Sequence, residues 1–189
     1  MIWRSRHNPI RDAALLGYRR VVEQSRRLVF FTNYGVPDTL DGRFELICLH
    51  AFLYLHRLKS ERPQSGPFCQ ELFDTMFADM DRSLREMGKS DLSVGKEVKR
   101  MAQGFYGRIR AYEEGLAGAD GVLAAALARN LFGTAKGAPP AAMTAYVRRA
   151  AAELGAQPAA ELLAGHVAFP QPEPRERSAA GDIASGIGQ

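Results

Sequence analysis

In "DGRFELICLHAFLYLHRLKS", residues 41–60, the apolar side chains of Phe44, Leu46, Ile47, Leu49, Phe52, Leu53, Leu55 and Leu58 fall on nearly every side of a helical wheel. A helix with no polar face has to be wrapped by other helices. The stretch, running from about Asp41 to Ser60, therefore predicts an all-α domain with this helix at its centre. Its longest apolar run, "LICLHAFLYL", is interrupted by His50 and is too short to span a bilayer, which needs about 20 residues.

Outward from this helix the sequence keeps helical periodicity and offers no convincing strand alternation. On the N-terminal side, "TNYGVPDTLDGRF", residues 32–44, is dense in turn formers, and Asp38 or Thr39 can cap the central helix. A first helix is expected from near Asp12 to about Phe31. After the loop 60–67, a third helix over about 69–87 carries Leu72, Phe73, Met76, Phe77, Met80, Leu84 and Met87 on one face and stops at Gly88. A fourth, over about 93–116, carries the seam Val94, Val98, Met101, Phe105, Ile109, Tyr112 and Leu116. Shorter helices follow: one from Asp120 to Gly133, one opened by Pro140 and ended by Gly155, and a last from Pro158 to about Phe169. Together these give a single compact helical domain of about six to seven helices. The expected division is a basic arm over 1–11, the helical domain over 12–169 and a disordered tail over 170–189, where apolar periodicity ends.

The 189 residues carry a net charge of +4, unevenly placed. Residues 1–30 hold Arg4, Arg6, Arg11, Arg19, Arg20, Arg26 and Arg27 against Asp12 and Glu23, so this element is basic and the remainder close to neutral. Arg19, Arg20, Arg26 and Arg27 are candidates for docking on an anionic surface. The opening "MIWRSRHNPIRD" lacks the apolar core of a secretory signal. Cys48 and Cys69 stand far apart without metal-type spacing, which fits a reduced, cytoplasmic protein.

Catalytic patterns are weak. No Glu is followed three residues later by His, as carboxylate-bridged metal bundles require, and His50 and His56 point to different sides of one helix. Ser93 sits in "DLSVG", which lacks both the first glycine and the preceding strand of a nucleophile elbow, and Ser90 or Ser93 reads better as a helix cap. "GFYG", residues 104–107, places two glycines inside the fourth helix, at a cost of about 1 kcal/mol each, so a close helix–helix or helix–ligand approach there is expected. The charges opposite the third-helix stripe pair by spacing, Asp81 with Arg85 and Asp79 with Arg82.

Three stretches taken together, "YGVPDTLDGRFELICLHAFLYLHRLK" (34–59), "LFDTMFADMDRSLREMG" (72–88) and "VGKEVKRMAQGFYGR" (94–108), closely resemble the ubiquinol–cytochrome c chaperone family over about residues 12–132. The resemblance implies an all-helical, non-catalytic protein without cofactor or metal. It implies binding to newly made cytochrome b in the biogenesis of ubiquinol–cytochrome c reductase, respiratory complex III. It further implies contact with the ribosome or an anionic inner-membrane surface, and in mitochondrial members a small partner protein. No specific DNA contact is expected. Without an obvious mitochondrial leader, the chain looks like an alphaproteobacterial-type member, cytoplasmic and peripheral at the inner membrane. After Gly133 no motif matches.

The matching positions nominate a client- or partner-binding surface: Gly35, Val36, Pro37, Asp38, Asp41 and Arg43 in the turn, Asp79, Asp81 and Arg85 on the third helix, and Lys96, Lys99, Arg100, Phe105 and Tyr106 on the fourth. Met76, Met80, Met87 and Met101 with Phe77 and Phe105 supply either an adaptable apolar groove or simply core. Two rival readings stay open at this point: an RNA- or ribosome-binding helical module, and a small haem- or quinone-binding helical protein.

Overall fold

Asn8 caps the first helix, its side-chain oxygen accepting from the amides of Ile10 (3.1 Å) and Arg11 (3.3 Å), and Pro9 takes the first helical position, where a missing N–H is harmless. The computed structural model describes residues 8–133 and 141–173. Along them run α1 (Pro9–Ser25), α2 (Val29–Thr32), α3 (Leu40–Leu58), α4 (Gly66–Glu86), α5 (Asp91–Ala117), α6 (Asp120–Leu131), α7 (Ala141–Gly155) and α8 (Ala159–Leu163), with no strand among the described residues. The fold is all-α, as the periodicity predicts. The helix-opening role expected of Pro140, the arm residues 1–7 and the tail beyond Glu173 lie outside the described residues.

The central position of α3 follows from its composition: every residue from Glu45 to Tyr54 is buried. α1, α5, α6 and α7 pack against it, while α4 lies on α1 and α5. Gly42 makes the entry to α3 possible, since a Cβ there would stand 2.0 Å from the carbonyl oxygen of Pro37. Thr39, one of the two expected caps, accepts the Gly42 amide at 3.1 Å. Gly88, with φ +82°, closes α4 as its sequence position predicts.

Two boundaries differ from the periodicity reading. The expected first helix breaks at Arg26. Phe30 follows Val21 by nine residues, two and a half turns, so an unbroken helix would aim it away from the core that Val21 enters. The break lets Phe30 turn inward, fully buried, with its ring 5.1 Å from that of Tyr146. The expected last helix is a short one, stopped by Gly165 at φ +86°. The chain then runs non-helically to Glu173, laying Phe169 edge-on against the His50 ring at 5.2 Å.

A buried polar chain ties these pieces together. Gln24 donates to the Tyr146 oxygen and to the carbonyl of Pro170, both at 2.8 Å, and accepts from Arg27 Nε at 2.8 Å. His50 Nδ1 lies 2.8 Å from the Leu46 carbonyl and 3.0 Å from Ser25 Oγ, and Nε2 lies 2.8 Å from the Tyr146 hydroxyl. A carbonyl only accepts, so Nδ1 carries the proton and neutral Nε2 accepts from Tyr146. Residues 170–173 belong to this assembly: Arg27 also reaches Gln171, Arg149 reaches Glu173, and the Glu173 amide donates to Tyr34 at 3.1 Å.

Full burial holds His50 neutral, pushing its pKa from 6.5 down to about 4. Between those values the unfolded chain binds more protons than the native one, so stability rises with pH. It is complete above pH 6.5 and falls as the pH drops toward 4, by on the order of 3 kcal/mol. Urea titrations at pH 7.5 and 4.5 measure this, and His50→Phe flattens the dependence. Tyr146→Phe, which strands polar atoms of both His50 and Gln24, costs about 2 kcal/mol at neutral pH in the same titrations.

Candidate functional site

The turn before α3 is ordered by its own residues. Tyr34 and Val36 are buried, the Val36 amide donates to the Phe30 carbonyl at 3.0 Å, and Gly35 takes φ +74° between them. This folds Pro37 outward and lets Arg43 donate to Asp38 at 2.7 Å, both exposed. Of the turn residues nominated from sequence, Val36 is a core residue, because it must fill the space beside the Phe30 corner; the others remain at the surface.

Pro37, Asp41 and the first turn of α3 form one wall of an open groove of about 600 Å³, completed by the end of α4, the first half of α5 and the end of α6. Its apolar lining is Leu40, Phe44, Met80, Leu84, Met87, Met101, Leu131 and Phe132. Leu40 is 57% exposed and Met87 49%, so both leave apolar surface open to water within the groove. The charges around it balance: Asp41, Glu45 and Glu97 against Arg100, Arg108 and Arg129. Such a surface attracts apolar segments without a strong field of either sign, and flexible methionines let it repack around different shapes.

At the groove base Arg108 clamps Glu45 through two hydrogen bonds, Nε to Oε2 at 2.6 Å and Nη2 to Oε1. The Glu45 side chain is 9% exposed, and burial pushes its pKa up against the opposing pull of Arg108. Gly104 is what lets the guanidinium lie down along α5: a Cβ there would meet Arg108 Nη1 at 2.6 Å. The other glycine of the pair, Gly107, has nothing within 4 Å, and Gly104 meets only Arg108 of its own helix, so the close helix–helix or helix–ligand approach expected at both is seen at neither. Sequence reading missed Glu45, Arg108, Arg129, Leu40 and Phe132. Glu45 could have been found as the one acid inside the apolar run of α3, and Arg108 as the cation one turn beyond an interior glycine.

The remaining nominated residues are scattered. Phe105 is fully buried, packed toward Phe73 and Phe77, and so belongs to the core rather than to a surface. Met76 and Phe77 are core too, whereas Met80, Met87 and Met101 reach the groove. Tyr106 is 62% exposed and borders a second, aromatic cleft of about 350 Å³ with Phe52, Phe73, His56 and Cys69. Asp79 accepts from Tyr18 at 2.9 Å and pairs with Arg82, so it fastens α4 to α1. Asp81 pairs with Arg85 at 2.5 Å, as spacing predicts, and Arg85 also reaches Asp91 across the α4–α5 corner. Lys96 and Lys99 are exposed on α5 but do not line the groove, whereas Arg100 does. On α1, Arg20 pairs with Glu23, Arg27 is held by Gln24 and Gln171, and Arg19 and Arg26 point to solvent. Among the described residues, no group of three or more His, Cys, Asp or Glu side chains could hold a metal ion, and no helix is long and apolar enough to cross a membrane.

A family model described as ubiquinol-cytochrome C chaperone matches residues 32–169. This extends past Gly133, where the sequence reading found no motif, through α7 and α8. The crystal structure of the Cbp3 homolog from Brucella abortus is similar with a TM-score of 0.77 and 38% identity, covering 86% of this chain and 91% of that one. The ubiquinol-cytochrome-c reductase complex assembly factor 1 of Xenopus laevis is 34% identical over 122 residues, 65% of this chain and 61% of that protein. Its namesake from Mus musculus is 33% identical over 123 residues, 65% of this chain and 42% of that protein. The chain thus spans less than two thirds of the length of these curated relatives.

The clamp at the groove base has a measurable signature. Arg108→Met leaves the Glu45 carboxylate buried without its partner and costs about 3 kcal/mol in a urea titration at pH 7.5. Adding Glu45→Gln to that variant restores most of the loss, since no charge then remains to be buried.

Proposed function

The chain belongs to the ubiquinol-cytochrome C chaperone family, and on that premise we propose that it is a non-catalytic assembly chaperone of ubiquinol–cytochrome c reductase, holding newly made cytochrome b in the methionine-lined groove. The observation that carries the reading is the groove itself: exposed Leu40 and Met87, half-buried Met101 and, beneath them, buried Met80 line one cleft whose charges cancel. Cytochrome b consists largely of apolar helices, and before insertion it needs a partner that shields apolar surface yet lets go. An adaptable, partly open apolar cleft meets both needs, because its contacts are individually weak and not shape-specific. Arg100 lines the groove and Lys96 and Lys99 are exposed on the same helix, and such charges set encounter rate and partner choice more than final affinity.

Removing the gene tests the function as a whole. The expected result is loss of spectroscopically detected b-type haem in membranes and of ubiquinol–cytochrome c reductase activity; normal levels of both would sink the proposal. Leu40→Asp with Met87→Asp tests the groove. The purified variant should keep the wild-type thermal melt, since both residues are exposed, and capture newly synthesised cytochrome b at least about tenfold less well. Reversing Lys96, Lys99 and Arg100 to Glu should slow capture and change its salt dependence, with the dissociation rate little altered.

A further inference from the structure

The second cleft, of about 350 Å³, opens between the end of α3, the start of α4 and the middle of α5, and shares no lining residue with the groove. Its walls are largely rings. Phe52 and Phe105, both buried, form its floor. Tyr106, 62% exposed, stands at its lip with its ring 5.7 Å from that of Phe73 and tilted to it by 32°. The polar groups are few and unevenly used. Lys59 donates to Glu113 at 2.8 Å, and this bond holds the Glu113 carboxyl below its usual range, so the two charges cancel. His56 Nδ1 is buried without a hydrogen bond, 3.6 Å from Glu113 Oε1. Arg62 is exposed in the lining and pairs with no described carboxylate. One guanidinium is therefore left uncancelled beside a bed of aromatic rings.

We propose that this cleft binds a small, flat aromatic carboxylate, its ring among Phe52, Phe73 and Tyr106 and its carboxylate on the fork of Arg62. The volume lies at the lower end of small-ligand sites, with room for one or two fused rings and little more. Aromatic walls favour an aromatic guest, because ring faces and edges carry opposite partial charge and attract each other when offset or edge-on. The lone guanidinium selects the anion. A carboxylate meets two of its N–H donors in one plane and is neutralised by a single arginine, whereas a phosphate dianion would keep half its charge unmatched over apolar rings. The proposal does not depend on what the groove binds.

Calorimetric titration of the full chain with naphthalene-2-carboxylate tests it, and a Kd of about 100 μM is expected. Decahydronaphthalene-2-carboxylate, the saturated counterpart of equal charge, should bind about fivefold more weakly. Arg62→Gln should weaken binding of the aromatic probe about tenfold and Tyr106→Ser about fivefold. Both side chains are exposed, so circular dichroism melts of the two variants should match wild type. Cys69 locates the ligand: it is half-buried in the lining, while Cys48 is fully buried. The probe at about 1 mM should slow iodoacetamide alkylation of Cys69, read by peptide mass spectrometry, about tenfold. Leu40→Asp, in the groove, should change none of this. Four results would overturn the proposal: neither binding heat nor protection of Cys69 with the probe at about 10 mM; binding without protection of Cys69; equal affinity for the saturated acid; or unchanged affinity in Arg62→Gln. A fifth is loss of binding in Leu40→Asp, which would place the aromatic anion in the groove.

Discussion

The chain of hydrogen bonds from Arg27 through Gln24 and Tyr146 to His50 and the Leu46 carbonyl is what the other helices are arranged around. Each polar atom in it has a definite partner, and in a low-dielectric interior a missed partner costs more than a made one contributes. Apolar seams alone would let α1, α3 and α7 slide by a turn with little penalty. The polar chain admits one register, because a one-turn slip of α7 removes the Tyr146 hydroxyl from both His50 and Gln24. The same chain captures the Pro170 carbonyl, and so holds residues 166–173 against the bundle, although they have no helix of their own.

Core and groove are made from the same stripe. Along α4 the seam residues Met76, Phe77, Met80 and Leu84 stay between 1% and 8% exposed, and exposure jumps to 49% at Met87. Nothing in the residue types changes along this line; what changes is the covering. Near the middle of α4, α1 and α5 close over the stripe. Toward its end the chain turns at Gly88 into α5, and the last methionine is left with the α3 entry and the end of α6 as distant walls. The groove is thus an unfinished part of the core.

This also explains which parts of the molecule could be read in the sequence. Helix existence, the central place of α3, the Gly88 stop, the Thr39 cap and the Asp81–Arg85 pair all rest on contacts within a turn or two, and spacing reveals these. The break at Arg26 was hidden because its cause, the room for Phe30 beside Tyr146, lies far along the chain. The short α8 was hidden because Gly165 packs against α1, where a Cβ would stand 2.3 Å from the Ala13 carbonyl oxygen. Phe105 could be read as core or as surface from periodicity alone, since a seam residue looks the same whether or not another helix covers it. Arg129 and Phe132 enter the groove only because α6 ends there, a fact of tertiary packing with no local signal.

The Glu45–Arg108 clamp shows how the groove can be apolar in action while charged in composition. A lone buried carboxylate at its base would repel any acidic segment and raise the cost of excluding water. Arg108 cancels the charge at close range, and its guanidinium lies over the Phe44 ring at 5.9 Å, so the pair adds flat, weakly hydrated surface to the apolar lining. Lysine could not do this: its ammonium is a strongly hydrated point charge without a planar fork to satisfy both carboxylate oxygens. Gly104 leaves room for the arrangement, since a Cβ there would stand 2.6 Å from Arg108 Nη1 and the guanidinium would have to shift. An acid in the middle of an apolar helix, an arginine and an interior glycine, each locally unfavourable, together make a neutral floor to the groove.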